Sequence, residues 1–158
     1  MHEAPPFTVD SARFDELADV LQVQKLAFAR EAERTGDWQL PALVQTLEEL
    51  QDDFASMRII VARAGAEVVG SVRARIDENA CAQVGRLVVR PDWQKRGVGS
   101  ALLREIEAAL PEARTFRLFT EERSLDNIRL YERNGYAIYA RRRESDKVSF
   151  VLMEKLRP

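Results

Sequence analysis

The sequence predicts a mixed α/β fold in which a central, mostly antiparallel sheet of six to seven strands is flanked by about four helices. Three observations lead there. Apolar periodicity switches along the chain between the helical 3.6 and the strand period of two. The strands come mainly as hairpin-like pairs separated by Gly, Asn and Asp turns. One strand-helix-strand crossover is embedded among them, which makes the sheet mixed rather than wholly parallel. At 158 residues the chain is expected to form a single domain, 1–158, that buries a core without disulfides or a structural metal.

The first helix is expected from Phe14 to Phe28, where Phe14, Leu17, Ala18, Leu21 and Phe28 recur at helical spacing after a capping Asp10 or Ser11. Arg34-Thr35-Gly36-Asp37 interrupts the pattern. A second helical face follows through Leu40, Leu43, Val44, Leu47 and Leu50, with Pro41 in its first turn. Arg58 to Arg63 and Val68 to Ile76 read as β-branched strands around the turn Ala64-Gly65-Ala66, and Cys81 to Val89 as a third that ends before Pro91. Gly97 to Leu110 is an amphipathic helix with Val98, Ala101, Leu102, Ile106, Ala109 and Leu110 on its apolar stripe. Phe116 to Thr120 is a strand, and Ser124 to Asn134 a helix stopped by Gly135. Tyr136 to Arg142 and Val148 to Leu156 close the sheet, and Phe7 to Val9 is a candidate strand at the front.

Composition excludes several classes of function. Hydrophobic residues at 46% and charged residues at 32% describe a globular chain, and no apolar run reaches the roughly eighteen residues of a membrane helix. A formal charge of -2 gives no overall field for nucleic acid or an anionic membrane. Arg141-Arg142-Arg143, followed by Glu144 and Asp146, reads as the wet face and turn of a hairpin. The N-terminal Met1-His2-Glu3-Ala4-Pro5-Pro6 has neither the basic nor the apolar stretch of a secretory signal, so the default expectation is cytoplasmic. His2 reads as a tail residue and Cys81 as an ordinary strand cysteine; together they supply no His/Cys constellation, so no metal is expected.

The informative segment runs from Leu87 through Val88, Val89, Arg90 and Pro91 to Gln94-Lys95-Arg96-Gly97-Val98-Gly99-Ser100. It is a strand, a basic loop, then glycines at a helix start. The first amides of a helix lack intrahelical acceptors and carry the positive end of its dipole, so Gly97 and Gly99 let a diphosphate approach bare backbone. A Walker loop is excluded because no Gly-Lys-Ser/Thr is present, and a dinucleotide fingerprint fails at Leu102, where its third glycine belongs.

This segment resembles the acetyl-coenzyme A signature of the GNAT N-acetyltransferases: Gln/Arg, two residues, Gly, one residue, Gly/Ala. A second stretch, Ser124-Leu125-Asp126-Asn127-Ile128-Arg129-Leu130-Tyr131 before Gly135-Tyr136, resembles the family's later motif, with Asn127 and Tyr131 four apart on one helix face. The likeness runs from about Arg58 to the C-terminus and implies the GNAT acyl-CoA N-acyltransferase fold. By resemblance, Gln94, Lys95, Arg96, Gly97, Val98, Gly99 and Ser100 bind the diphosphate, while Leu87, Val88 and Val89 offer strand-edge groups to the pantetheine arm. Asn127 would hydrogen-bond that arm and Tyr131 would act as general acid to the departing thiolate. The family also splays this strand from the next, often at a bulge, for which Gly85 is the candidate. A backbone N–H near Val89 would serve as oxyanion donor.

The resemblance implies transfer of acetyl from acetyl-coenzyme A to a primary amine of a small molecule, peptide or protein, by direct attack in a ternary complex. A homodimer is compatible with it. The chain departs from the pattern at Gln83, which stands where many relatives carry a glutamate base, and an amide accepts no proton. The base is therefore unassigned. Glu121 and Glu122 are the nearest alternatives, though loop charges are usually solvated. That gap keeps a rival open: a non-catalytic coenzyme A-binding sensor or scaffold. Trp38 and Trp93 are expected near the acceptor and coenzyme entrances, and no recognition code names the acceptor.

Overall fold

A computed structural model describes residues 6–158; the expectations for His2 and the rest of the first five residues lie outside it. The chain begins with strand β1 (Thr8–Ser11), then helices α1 (Leu17–Thr35), α2 (Pro41–Val44) and α3 (Leu47–Ser56). Strands β2 (Arg58–Ala64), β3 (Glu67–Ile76) and β4 (Cys81–Val89) follow, then α4 (Val98–Ala109), β5 (Thr115–Glu121), α5 (Leu125–Arg133), β6 (Ala137–Arg143) and β7 (Ser149–Leu156). The seven strands form one sheet in the order β1-β2-β3-β4-β5-β7-β6. Every pair is antiparallel except β4 with β5.

Two elements differ from the sequence expectation. Helix α1 continues to Thr35, where Gly36 takes a left-handed conformation and its N–H bonds Ala32 O. After Phe28 the helix buries Ala32 and Thr35 and turns Arg30, Glu33 and Arg34 to solvent. The second expected helix is split, because Thr46 restarts the chain with its own cap: its hydroxyl accepts from Glu49 N while the Glu49 carboxylate accepts from Thr46 N. Asp10 and Ser11 do not cap α1; both belong to β1, and Asp10 pairs with Arg63. Arg63 also holds the buried Glu16, so one guanidinium ties the start of α1 to β2.

Helices cover the two faces of the sheet unevenly. On one face α4 and α5 bury Leu102, Leu103, Ile106 and Tyr131 against Ile60, Val72, Phe116, Val151 and Met153. On the other, α1 and α3 pack Leu17, Val20, Val23 and Leu50 over Ile59, Val61, Val68 and Val88. Beyond β4 that second face is open, and Phe119 is 54% exposed. Among the described residues, no helix is long and apolar enough to cross a membrane.

The sheet opens at its centre. The β4 to β5 ladder holds only Cys81 with Thr115, Ala82 with Phe116 and Gln83 with Arg117, after which the strands diverge. On the other edge of β4 the register slips: Arg73 faces Gly85 while Ser71 faces Val88, so Arg86 and Leu87 together oppose Val72. This is the bulge expected near Gly85. The left-handed residue is Arg86, at φ 49°, and not the glycine.

Candidate active site

A cleft of about 740 Å³ runs along this opening. Its walls come from α1 (Ala27, Phe28, Arg30, Glu31, Arg34), the end of β4 (Leu87, Val88, Val89), the glycine loop with the start of α4, and the start of α5 with the loop before it. Of the residues predicted to hold the coenzyme, Leu87, Val88, Val89, Gln94, Lys95, Gly97, Val98, Gly99, Ser100 and Asn127 all line it. Arg96 and Tyr131 do not.

The wall at the glycine loop is built from backbone. Gly97 caps α4 in the left-handed region at φ 86°, which turns the chain sharply after Lys95, itself at φ 61°. Val98, Gly99 and Ser100 line the cleft, and their amides lack intrahelical acceptors and a side-chain cap. Gly99 has a second reason to be glycine: a Cβ there would stand 2.8 Å from Leu130 Cδ2, so α4 and α5 touch at this point. Asn134 Nδ2 donates to Ser100 Oγ at 3.0 Å and fastens the two helices further. Gln94 Nε2 donates to Val89 O at 3.2 Å and ties the loop to the strand end. Arg96 lies over the Trp93 ring at 4.8 Å, and Trp93 meets Phe7 edge-on, so this part of the predicted loop braces the fold.

Charge is concentrated here despite the acidic net balance. Arg30, Arg34, Lys95, Arg123, Arg129 and Arg133 line the cleft against Glu31 and Asp126. Such a local positive field suits a polyphosphate.

The wall at α1 is built from side chains. Glu31, on α1, is the carboxylate that sequence reasoning missed. Its side chain is 17% exposed and lies 3.3 Å from Arg34. Burial pushes its pKa above the ordinary glutamate value; the Arg34 charge opposes that and the neighbouring Glu121 charge reinforces it. Glu121, expected to be solvated, ends β5 at 1% exposure. It accepts from Arg123 Nε at 2.7 Å and lies 3.9 Å from Arg34, so it holds cations in place. Glu122 is exposed. Gln83 is exposed and donates to Asp77 Oδ2 at 3.3 Å, away from the cleft wall. A helical i, i+3, i+4 and i+7 pattern joining Gln24 to Ala27, Phe28 and Glu31 was the available signal for Glu31, and the short helix predicted there hid it.

Tyr131 is buried at 6% exposure, edge-on to Tyr136, one residue beyond the cleft-lining Leu130. Burial first, and the Glu31 charge second, raise its pKa. The phenol is thus within electrostatic reach of Glu31 and fully protonated at neutral pH. Trp38 is half exposed and off the cleft wall. The β6–β7 turn is fastened to the end of α1 and to the loop after β5: Lys147 Nζ donates to Gly36 O at 3.2 Å, and Arg123 donates to Lys147 O at 3.1 Å.

Comparison with known proteins agrees with this fold. The chain superposes on the PaiA N-acetyltransferase of Thermoplasma acidophilum in complex with coenzyme A, with a TM-score of 0.79, 16% identity and coverage of 96% of this chain and 99% of that one. The ribosomal-protein-S18-alanine N-acetyltransferase of Escherichia coli gives 0.77 and 16% identity over 95% of this chain and 93% of its own. The putative acetyltransferase yncA of Salmonella typhimurium, with acetyl-CoA, gives 0.79 and 14% identity over 96% and 94%. At these identities the likeness is one of fold. No curated protein sequence matches the chain. The model of the Acetyltransferase (GNAT) family matches residues 20–136, most of its length, and the chain therefore belongs to the GNAT acetyltransferase family.

Proposed function

We propose that the protein transfers acetyl from acetyl-coenzyme A directly to a primary amine within a ternary complex. The observation that carries this reading is one cleft lined both by the start of α4, whose amides lack intrahelical acceptors, and by the secluded carboxylate of Glu31. Acetyl-coenzyme A supplies an activated thioester. In this reading Gln94 to Ser100 grip its diphosphate through the α4 amides and the Lys95 charge. The edge of β4 left free by β5 receives the pantetheine arm as an added strand.

A lysine-like amine, with a pKa near 10.4, is almost wholly protonated at neutral pH and must lose a proton to attack. Glu31 takes that proton. Its raised pKa makes it a better base than a solvated glutamate, and its position removes the need for a carboxylate at Gln83. Tyr131 then gives a proton to the departing thiolate. Alone it is a reluctant acid, because burial and the Glu31 charge hold the proton on it. When Glu31 becomes protonated that charge disappears, and Tyr131 ionises more readily. The base thus arms the acid.

The rival reading, a coenzyme-binding module without catalysis, draws on the seclusion of Tyr131 from the cleft wall. Thiol release from acetyl-coenzyme A across a panel of primary amines separates the two. Turnover is expected with at least one amine, and Tyr131→Phe is expected to lower kcat by about tenfold or more without weakening acetyl-coenzyme A binding. Saturable coenzyme binding with no turnover on any amine would favour the module. Full activity in Tyr131→Phe would remove the phenol from the mechanism.

A further inference from the structure

The β4 bulge contains a cation that nothing above employs. Arg86 occupies the left-handed region at φ 49°, a conformation that costs a side chain free energy and that Gly85, one residue earlier, would adopt more cheaply. The chain leaves Gly85 in ordinary backbone and puts an arginine at the strained position. The side chain at 86, rather than the turn alone, is what the bulge displays.

That side chain reaches across to the link between α2 and α3. Arg86 Nη1 donates to Gln45 Oε1 at 2.6 Å. Gln45 is buried, and its oxygen also accepts from Gln24 Nε2 of α1 at 3.0 Å. Its own amide donates to Asp53 Oδ2 at 2.7 Å, and Asp53 is taken by Arg73. A neutral amide therefore separates Arg86 from the nearest carboxylate, and among the described residues Arg86 makes no ion pair. Burial and the Arg73 charge push its pKa down to about 10, which still leaves it a cation at neutral pH. A half-buried guanidinium with one neutral partner has most of its five donors unused.

Its location gives those donors a use. At about 3.3 Å per strand residue, Arg86 lies roughly 7–10 Å along β4 from the Val88 and Val89 amides that line the cleft. Its bond to Gln45, itself bonded to Gln24, puts the guanidinium on the face covered by α1, about two helical turns along that helix from Glu31; Leu87, the next residue of β4, lines the cleft, and Arg86 stands just behind that wall. Beside it the strand is uncrowded: a Cβ at Gly85 would meet nothing within 4 Å. A planar guanidinium with free donors beside open space matches the two oxygens of a carboxylate.

We infer that the acceptor is an amino acid-like molecule whose amine meets Glu31 while its carboxylate is received by Arg86. This rests on the N-acetyltransfer reading and narrows its substrate class from amines in general to amines that carry a carboxylate. The plain alternative is that Arg86 only tethers Gln45 and so the α2–α3 link.

Matched acceptor pairs test it: α-amino acids, ω-amino acids and dipeptides, each beside its carboxamide or decarboxylated amine, assayed by thiol release at saturating acetyl-coenzyme A. In at least one pair the carboxylate is expected to raise kcat/KM by roughly 10- to 100-fold. Arg86→Gln is expected to bring that ratio close to one by raising KM for the carboxylated member, with Arg86→Lys intermediate. The melting temperature and acetyl-coenzyme A affinity of both variants report whether the fold survives. Equal use of both members by the natural protein, or preference for the neutral one, overturns the carboxylate site and leaves amine acetylation standing. An equal loss for both members in Arg86→Gln overturns it in favour of the tether. Absence of turnover throughout the panel overturns both readings.

Discussion

The two ends of the cleft are made of different material. The groups proposed to hold the coenzyme are peptide amides, set by Gly97 at φ 86°, by the close approach of Gly99 to Leu130, and by the Asn134 to Ser100 bond. The groups proposed for the acceptor are side chains from separate segments: Glu31 on α1, beside Arg34 and within reach of Glu121 at the end of β5, and Arg86 in β4, bonded to Gln45 before α3. A backbone site depends on a local run of residues that lets the chain turn. A side-chain site depends on the whole fold to bring distant residues together, and it changes its ligand when any one of them changes.

The sharpest way to break this contrast is at Glu31. Glu31→Gln is expected to lower kcat by about 10²–10⁴-fold while leaving acetyl-coenzyme A affinity unchanged. The same variant is expected to melt at or above the natural protein at neutral pH, because burial and Glu121 disfavour the charge. The sign follows from linkage: a carboxyl whose pKa is raised on folding binds its proton more tightly in the native state. Stability is therefore lost as pH rises from the ordinary value of 4.5 toward the raised one. In kcat/KM against pH, the acidic limb is expected above the ordinary carboxylate range and absent in Glu31→Gln. Retained activity in that variant would mean that the acceptor end works without its side-chain base.

At the opposite end, Gly97→Val forces a β-branched residue into the left-handed region, at about 1–2 kcal/mol, and crowds the amides. Calorimetry should show acetyl-coenzyme A binding weakened by roughly tenfold or more. At saturation kcat should stay near the natural value, since no reacting group is touched. A collapse of kcat with intact binding would erase the distinction between the ends. The smallest effect is expected at Lys147→Ala, which removes the bond to Gly36 O. One exposed hydrogen bond is worth about 0.5–1.5 kcal/mol at most, so the acceptor KM should rise by only a few-fold, with coenzyme affinity unmoved.

The same contrast explains what could be read from the sequence. The strands' places along the chain and the glycine loop were legible because alternation, Gly97 and Gly99 are local signals, and the loop residues Gln94 through Gly99 do line the cleft except Arg96. Arg96 misled because a basic residue in a phosphate-like loop can equally stack on its neighbour, Trp93. Helix α1 was cut short because its outer face is charged throughout its second half, and Glu31 was lost with it. Thr46 as a cap was overlooked, although Thr46 and Glu49 have capping-box spacing. Glu121 read as solvated because nothing local announces that Arg34, eighty-seven positions earlier, will cover it. The bulge was anticipated at Gly85, yet the register slip fell on Arg86, where packing against Gln45 overrode conformational preference.

The three-residue ladder between β4 and β5 also has a mechanical meaning. It makes the sheet two plates joined along a short seam at one end, with the α4-side core on one face and the Arg34–Glu121 and Lys147–Gly36 contacts on the other spanning the gap. An elongated molecule lodged in that gap acts as a rivet. The filled protein should therefore shake apart as one body, while in the empty one amide hydrogens beside the gap should exchange ahead of those inside either plate.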